Sequence, residues 1–238
     1  MARARRGGGS PGLIVLVAVV VLACIAWYLL RPAVQAPAAG VPETALPAAP
    51  PSAASADRID PAQEGKPVTA SGKLRVTRPP RDAQLGLSAA DALVLERRVD
   101  MLQWRETCAE KRCEYALAWS AEPVDSSRFR ERGHDNPLRF PFASERFAAA
   151  EVHLGAYAVD AAFAAAGVEA VDYPVRAAQL PPNLAATFRE RDGQLYAGDD
   201  PAHPAVGDLR VAYRIVPAGE RSLSGVQIGS RLKPPPAG

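Results

Sequence analysis

The chain has 238 residues, with 28 Lys and Arg against 26 Asp and Glu, three cysteines and 23 prolines. That length allows one substantial domain with appendages, and the Ala-, Arg- and Pro-rich composition makes part of it spacer rather than core. The basic excess lies before Asp57, in Arg3, Arg5, Arg6 and Arg31, and beyond it the two signs nearly cancel; nothing electrostatic calls for nucleic acid.

Residues 1–12 read as a basic, cytoplasmic tail. The run LIVLVAVVVLACIAWYLL, Leu13–Leu30, carries no charge. As a helix it would be roughly 27 Å long, close to the thickness of a bilayer's hydrocarbon core. Trp27 and Tyr28 stand near one end, where interfacial aromatics belong. With three arginines ahead of it, the span predicts an inside N-terminus and a translocated C-terminal bulk. The first partner is thus the lipid bilayer, through residues 13–30. Two other readings compete. VLAC, ending at Cys24, loosely matches a lipidation signal, although the apolar run continues beyond it. AWYLLRP would have to serve as a cleavage site and is a poor one.

Residues 31–62 are rich in Pro and Ala and lack hydrophobic periodicity, which predicts an extended tether. The folded part is expected over 63–232, with a disordered tail at 233–238. Its class is α+β: a mainly antiparallel β domain with a few short helices. SAAD at Ser88 has the spacing of a capping box and predicts a short helix. In DSS, Asp125 reads as a helix cap. AEVHLGAY predicts a strand with Val152, Leu154 and Ala156 on one face and His153 as a satisfied core histidine. Asp160 is placed to cap a short helix that Gly167 ends. TFRERDGQLYAG predicts a hairpin turning at Asp192–Gly193. LRVAYRIV, Leu209–Val216, alternates strictly and is the clearest strand; LSGVQIG is expected to pair with it.

In ETCAEKRCEY, Cys108 and Cys113 flank four residues. If they oppose each other across a hairpin, Glu106 meets Tyr115, Trp104 meets Leu117 and Leu102 meets Trp119. The other face then pairs Thr107 with Glu114, Arg105 with Ala116 and Gln103 with Ala118. One face is apolar and one polar, as a half-buried ribbon requires, so cysteine spacing and hydrophobic pattern select the same register. A disulfide closing this small loop should stabilise by roughly 2 kcal/mol. It also implies an oxidising compartment. Free thiols, a metal site and a redox pair are the alternatives. A metal would need two further ligands, and His134, His153 and His203 stand in no zinc-like pattern. Redox pairs usually have two intervening residues. Trp104 and Trp119 are expected in the core.

LERRVDMLQWRET (Leu95–Thr107), the Gly-His-x-Asn-Pro turn of Gly133, His134, Asn136 and Pro137, GKLRVT near Gly72 and VGDLRVAYRIV near Gly207 together resemble the LUMA (transmembrane protein 43) family, in the family's order. The resemblance implies a membrane protein with a large extracytoplasmic or lumenal domain after its first span, a scaffolding role in eukaryotic relatives, and no established enzymatic activity or cofactor. The polar, proline-rich GSRLKPPPAG stands where the family has further spans. The expectation is a bacterial member: a single-pass inner-membrane protein whose periplasmic domain recruits an envelope protein. Gly133, His134, Asn136 and Pro137 are its candidate interaction turn, and Arg97 and Arg98 its candidate surface. An envelope hydrolase using His134 or His153, or a stress sensor, is the alternative. His134 beside Asp135 is a poor catalytic pair, because adjacent residues seldom orient as a base and its orienter. No catalytic or metal residue is assigned.

Overall fold

The structure is a computed structural model that describes residues 51–110 and 112–236; the expected span, its Cys24 and most of the tether lie outside the described residues. Among the described residues no helix is long and apolar enough to cross a membrane.

The chain enters as β1 (Ser52–Ala54) and then runs through the long β2 (Pro67–Arg78). A two-residue ribbon, β3 (Arg81–Asp82) and β4 (Leu87–Ser88), leads into the longest strand, β5 (Ala92–Ala109), which doubles back as β6 (Arg112–Ser120). After a long loop come β7 (Glu145–Ala148), β8 (Glu151–Leu154), β9 (Tyr157–Val159) and helix α1 (Ala161–Ala165). β10 (Val171–Asp172), α2 (Pro182–Ala185), β11 (Arg189–Arg191) and β12 (Gln194–Ala197) follow. The chain closes with β13 (Leu209–Pro217), β14 (Glu220–Ile228) and β15 (Arg231–Lys233). The fold is thus mainly β with a few short helices.

Two larger sheets result. In the first, β2, β14, β15, β9 and β8 are joined in that order and β8 returns to β2, so these five strands form a hydrogen-bonded ring with β1 added to β2. Its interior is filled by Val68, Leu74, Val152, Leu154, Tyr157 and Leu232, and α1 contributes Ala161, Ala164 and Ala165. Asp160 caps that helix through two backbone N–H groups, as expected. The second sheet runs β11-β12-β13-β5-β6, with β10 beside β13 and β7 beside β5. One face of it buries Leu95, Val99, Met101, Leu209, Val211 and Tyr213. Each fully buried Leu or Val of these clusters contributes about 1.5–3 kcal/mol.

Several expectations are corrected. LSGVQIG is a strand, β14, but it pairs with β2 rather than β13. The Gly219 carbonyl accepts from Leu74 N at 2.9 Å and carries the chain into the other sheet. Alternation predicts a strand and not its neighbour. The helix expected at Ser88 is absent. Leu85, Leu87 and Ala89 are buried at a spacing of two, and the Ser88 hydroxyl donates to the Pro80 carbonyl. The strand expected through Ala156 ends at Leu154, because Gly155 turns there at a φ of 59° and any Cβ would run into the Ala56 carbonyl. His153 points outward to Glu151 at 3.2 Å and is no core residue. The sheet is entered upstream of Gln63, since Ser52–Ala54 pair with Val68–Ala70.

The largest correction concerns Arg97. Read with Arg98 as a surface pair, it is instead buried, 1% exposed, while Arg98 is exposed. Neighbours along a strand face opposite ways, and Arg97 shares the core face with Leu95 and Val99. Its guanidinium donates to Asp82 Oδ2 at 2.6 Å, the Ala143 carbonyl at 2.8 Å, Gln84 Oε1 at 2.8 Å and Glu145 at 3.2 Å. Asp82, fully buried, also accepts from the Tyr213 hydroxyl at 2.6 Å and from Gln84 and Leu85 N. Burial, and then the bond to Asp82, pushes the Tyr213 phenol well above its ordinary pKa. Removing one member strands a buried charge. Arg97→Ala and Asp82→Ala should therefore each lose about 3–5 kcal/mol in urea unfolding, and Arg98→Ala should stay within about 0.5 kcal/mol of the parent.

Candidate functional site

The site grows from the hairpin of β5 and β6. Its register is the expected one throughout, from Met101 opposite Ser120 to Cys108 opposite Cys113, and the two cysteines form a disulfide with their Cα atoms 4.1 Å apart. The register is right but the burial is not. Leu102 is buried, Trp104 and Trp119 are only half-buried and belong to neither core cluster, and Leu117 is 43% exposed. Leu102 and Trp104 share the face of Arg98 and Asp100, opposite the one that carries Val99 and Met101, so the hairpin's apolar face is covered by a loop instead of the core.

That loop carries the Gly-His-x-Asn-Pro turn. Asp125 caps a 3-10 turn at Ser126–Arg128, and the chain then returns across the hairpin. The Glu106 carboxylate accepts from the Tyr115 hydroxyl at 2.6 Å and from Arg130 N at 2.7 Å, while that hydroxyl accepts from Glu131 N at 2.9 Å. His134 lies parallel to the Tyr115 ring at 3.9 Å and edge-on to Trp104 at 4.7 Å. Its Nδ1 is buried and has no hydrogen-bond partner among the described residues.

Asn136 is the anchor. Its amide accepts from Trp104 N at 2.7 Å and donates to Trp104 O at 2.9 Å, the bonds a neighbouring strand would make. Two residues earlier Leu102 bonds Asp208 O and Gly207 N just ahead of β13, so one side chain prolongs that ladder by a rung. Gly133 forms the exposed bend at a φ of 91°, and Pro137 sits against Gly207. Of the expected residues, the fold brings His134 and Asn136 onto the cysteine hairpin. It sends Arg97 into the core and Arg98 to another surface. Glu106 and Tyr115 were expected only as an opposed pair; the pattern contained them, but the returning loop that uses them is a tertiary contact.

The carboxylate and the sulfurs of the cluster are already engaged. Glu106 and the two cysteine sulfurs lie within 4.8 Å of one another, yet the sulfurs are bonded to each other and the carboxylate to Tyr115 and Arg130, so they are not a free ligand set. No hydroxyl or thiol is hydrogen-bonded to His134 among the described residues, which leaves it without the partner a general base needs. His153 bonds Glu151, and His203 bonds Asp200 at 2.7 Å in an exposed loop.

The family model for transmembrane protein 43 matches residues 97–235. The chain belongs to the transmembrane protein 43 family. It is 29% identical over 170 residues to transmembrane protein 43 of Rattus norvegicus and of Homo sapiens, covering 65% of this chain and 41% of each relative. The Drosophila melanogaster homolog is 29% identical over 169 residues, covering 63% and 43%. The match therefore spans about two-fifths of these relatives. No solved structure matches the chain. Membership of a family of transmembrane proteins implies association with a membrane. The matched segment starts at Arg97 and contains the hairpin, its disulfide, the covering turn and β13.

The Tyr115 hydrogen bond, and then the Arg130 amide, hold the Glu106 carboxyl below its ordinary value of 4.5. A lowered folded pKa gives stability that is present above the unfolded value and lost as pH falls through the folded one. Acid unfolding below about pH 4.5 should therefore shift in Glu106→Gln, which lacks this contribution at every pH. Asn136→Ala should lower the unfolding free energy by about 1–3 kcal/mol, because it leaves the Trp104 backbone groups unpaired. The loosened loop should also red-shift tryptophan emission.

Proposed function

We propose that this chain is a membrane-anchored, non-enzymatic interaction module whose domain faces the periplasm and recruits an envelope protein. The observation that carries the reading is the use made of its most reactive-looking residues. His134, Asn136, Glu106 and both cysteines bind the chain to itself, and the turn they secure presents Leu138 at 91% exposure. A large apolar side chain held out by a rigid loop suits a protein contact. The disulfide at the hairpin tip suits an oxidising compartment, in keeping with a domain translocated by the Leu13–Leu30 span. The hydrolase alternative draws no support from His134, which has neither nucleophile nor orienter among the described residues.

A photo-crosslinking amino acid at Leu138, placed in the full chain and activated in cells, tests the contact. The expected outcome is one discrete adduct with an envelope protein, absent when the same group replaces Arg75. Smearing, or identical adducts from both positions, would refute the contact. For the compartment, Cys24→Ala chains taken from cells without reduction should resist maleimide and gain two labels after it. Labelling before reduction would place the domain in the cytoplasm.

A further inference from the structure

The outward face of the second sheet, opposite the one that buries Val99, Val211 and Tyr213, holds an unassigned cleft. Its centre is Ala212 on β13. Arg210 and Arg214 lie two residues to either side on the same face, and the residue directly across on β5 is Arg98. A methyl group thus stands among three guanidinium-bearing side chains and leaves a dent in the sheet. Tyr173 and Pro174 wall one side, Gly193 and Gln194 another, and the cleft measures about 320 Å³.

The arginines are incompletely satisfied. Arg98 makes no ion pair or side-chain hydrogen bond among the described residues. Arg210 stacks on Trp119 with Cζ 3.9 Å from the ring centroid, and its Nε is buried without a hydrogen-bond partner among the described residues. Burial lowers its pKa, which Asp100 opposite partly offsets. Arg214 donates to the Ala170 carbonyl and lies 3.5 Å from Asp172. Three carboxylates also reach the rim. Asp172 and Asp192 are 93% and 87% exposed, and each is turned to an arginine of its own, Arg214 and Arg191. Asp100 faces Arg210 and Glu96 faces Arg214, with Glu96 also 3.5 Å from Arg146, so Arg98, across from Ala212, is the guanidinium of the floor with no carboxylate opposite it.

We infer that this cleft binds a small, multiply charged oxyanion, gripped by Arg98, Arg210 and Arg214 above Ala212. Guanidinium forks pair with phosphate and carboxylate oxygens alike. A phosphate monoester and a small polycarboxylate are both of this chemistry and fit the volume. The inference is independent of the protein contact proposed at Leu138.

Trp119 supplies the readout, because an anion that draws on Arg210 alters the cation stacked on the indole. The purified full chain in neutral detergent is titrated with inorganic phosphate, citrate and, at matched ionic strength, sodium chloride, following tryptophan emission. The expected result is a saturable change with phosphate, citrate or both, none with chloride, and no saturation in Trp119→Phe. Response to phosphate alone names a phosphate ligand; response to citrate alone names a carboxylate. Arg98→Gln, a surface change, should weaken the apparent Kd by about tenfold or more. Ala212→Glu, which puts a carboxylate among the three arginines, should abolish the response and keep the thermal midpoint at or above the parent's. Equal responses to chloride, no response to either anion, or an Arg98→Gln affinity within about twofold of the parent would overturn the site.

Discussion

A buried ion pair holds the second sheet to the segments around it. Arg97 sits in the middle of the core face of the central strand β5, and a guanidinium there is tolerable only if its donors are met. Asp82 meets the charge, and Ala143, Gln84 and Glu145 take the remaining donors. Those partners come from the β3–β4 ribbon and from the start of β7, so satisfying one side chain fixes two otherwise weakly tied segments. Asp82 is in turn completed by Tyr213 of β13 and by two amides of its own turn. Four parts of the chain therefore have to arrive together, which favours one arrangement over others of similar hydrophobic content.

The same strand explains the position of the loops. β5 is longer than any one neighbour, and where the strands leave it bare at Val99, Leu102 and Trp104 a side chain or a loop closes it. Ser144 Oγ accepts from Val99 N between β7 and β6. Asp208 and Gly207 serve Leu102 beyond β13, and Asn136 serves Trp104 one rung further. The Gly-His-x-Asn-Pro turn is thus a completion of the sheet, and the stacking of His134 between Trp104 and Tyr115 follows from where Asn136 must sit.

Much of this was legible in the residues. The hairpin register followed from two cysteines and an apolar pattern that agreed. The caps at Asp125 and Asp160, the turn at Asp192–Gly193 and the strand at Leu209 followed from local chemistry. The role of Arg97 was available too, because the alternation of Leu95, Val99 and Met101 assigns it to the apolar face. Reading it together with Arg98 as a charged pair overrode the parity. Its partner Asp82 carried no such signal, since nothing local distinguishes a carboxylate that will be buried from one that will be solvated.

By itself, then, the sequence determined a mainly antiparallel β domain with a few short helices, the disulfide hairpin and its register, the local caps, the family and the apolar run expected to anchor the chain. All of these depend on groups close in the chain or on a period of two. The tertiary structure alone decided that β14 leaves β13 for β2, that the hairpin's apolar face is covered by the returning loop, and that Arg97 is paired inside while Arg98, Arg210 and Arg214 surround Ala212 outside. Those outcomes depend on which strand lies beside which. Alternation fixes the face a side chain points to, but neighbour choice is set by the burial and hydrogen bonding of distant segments together.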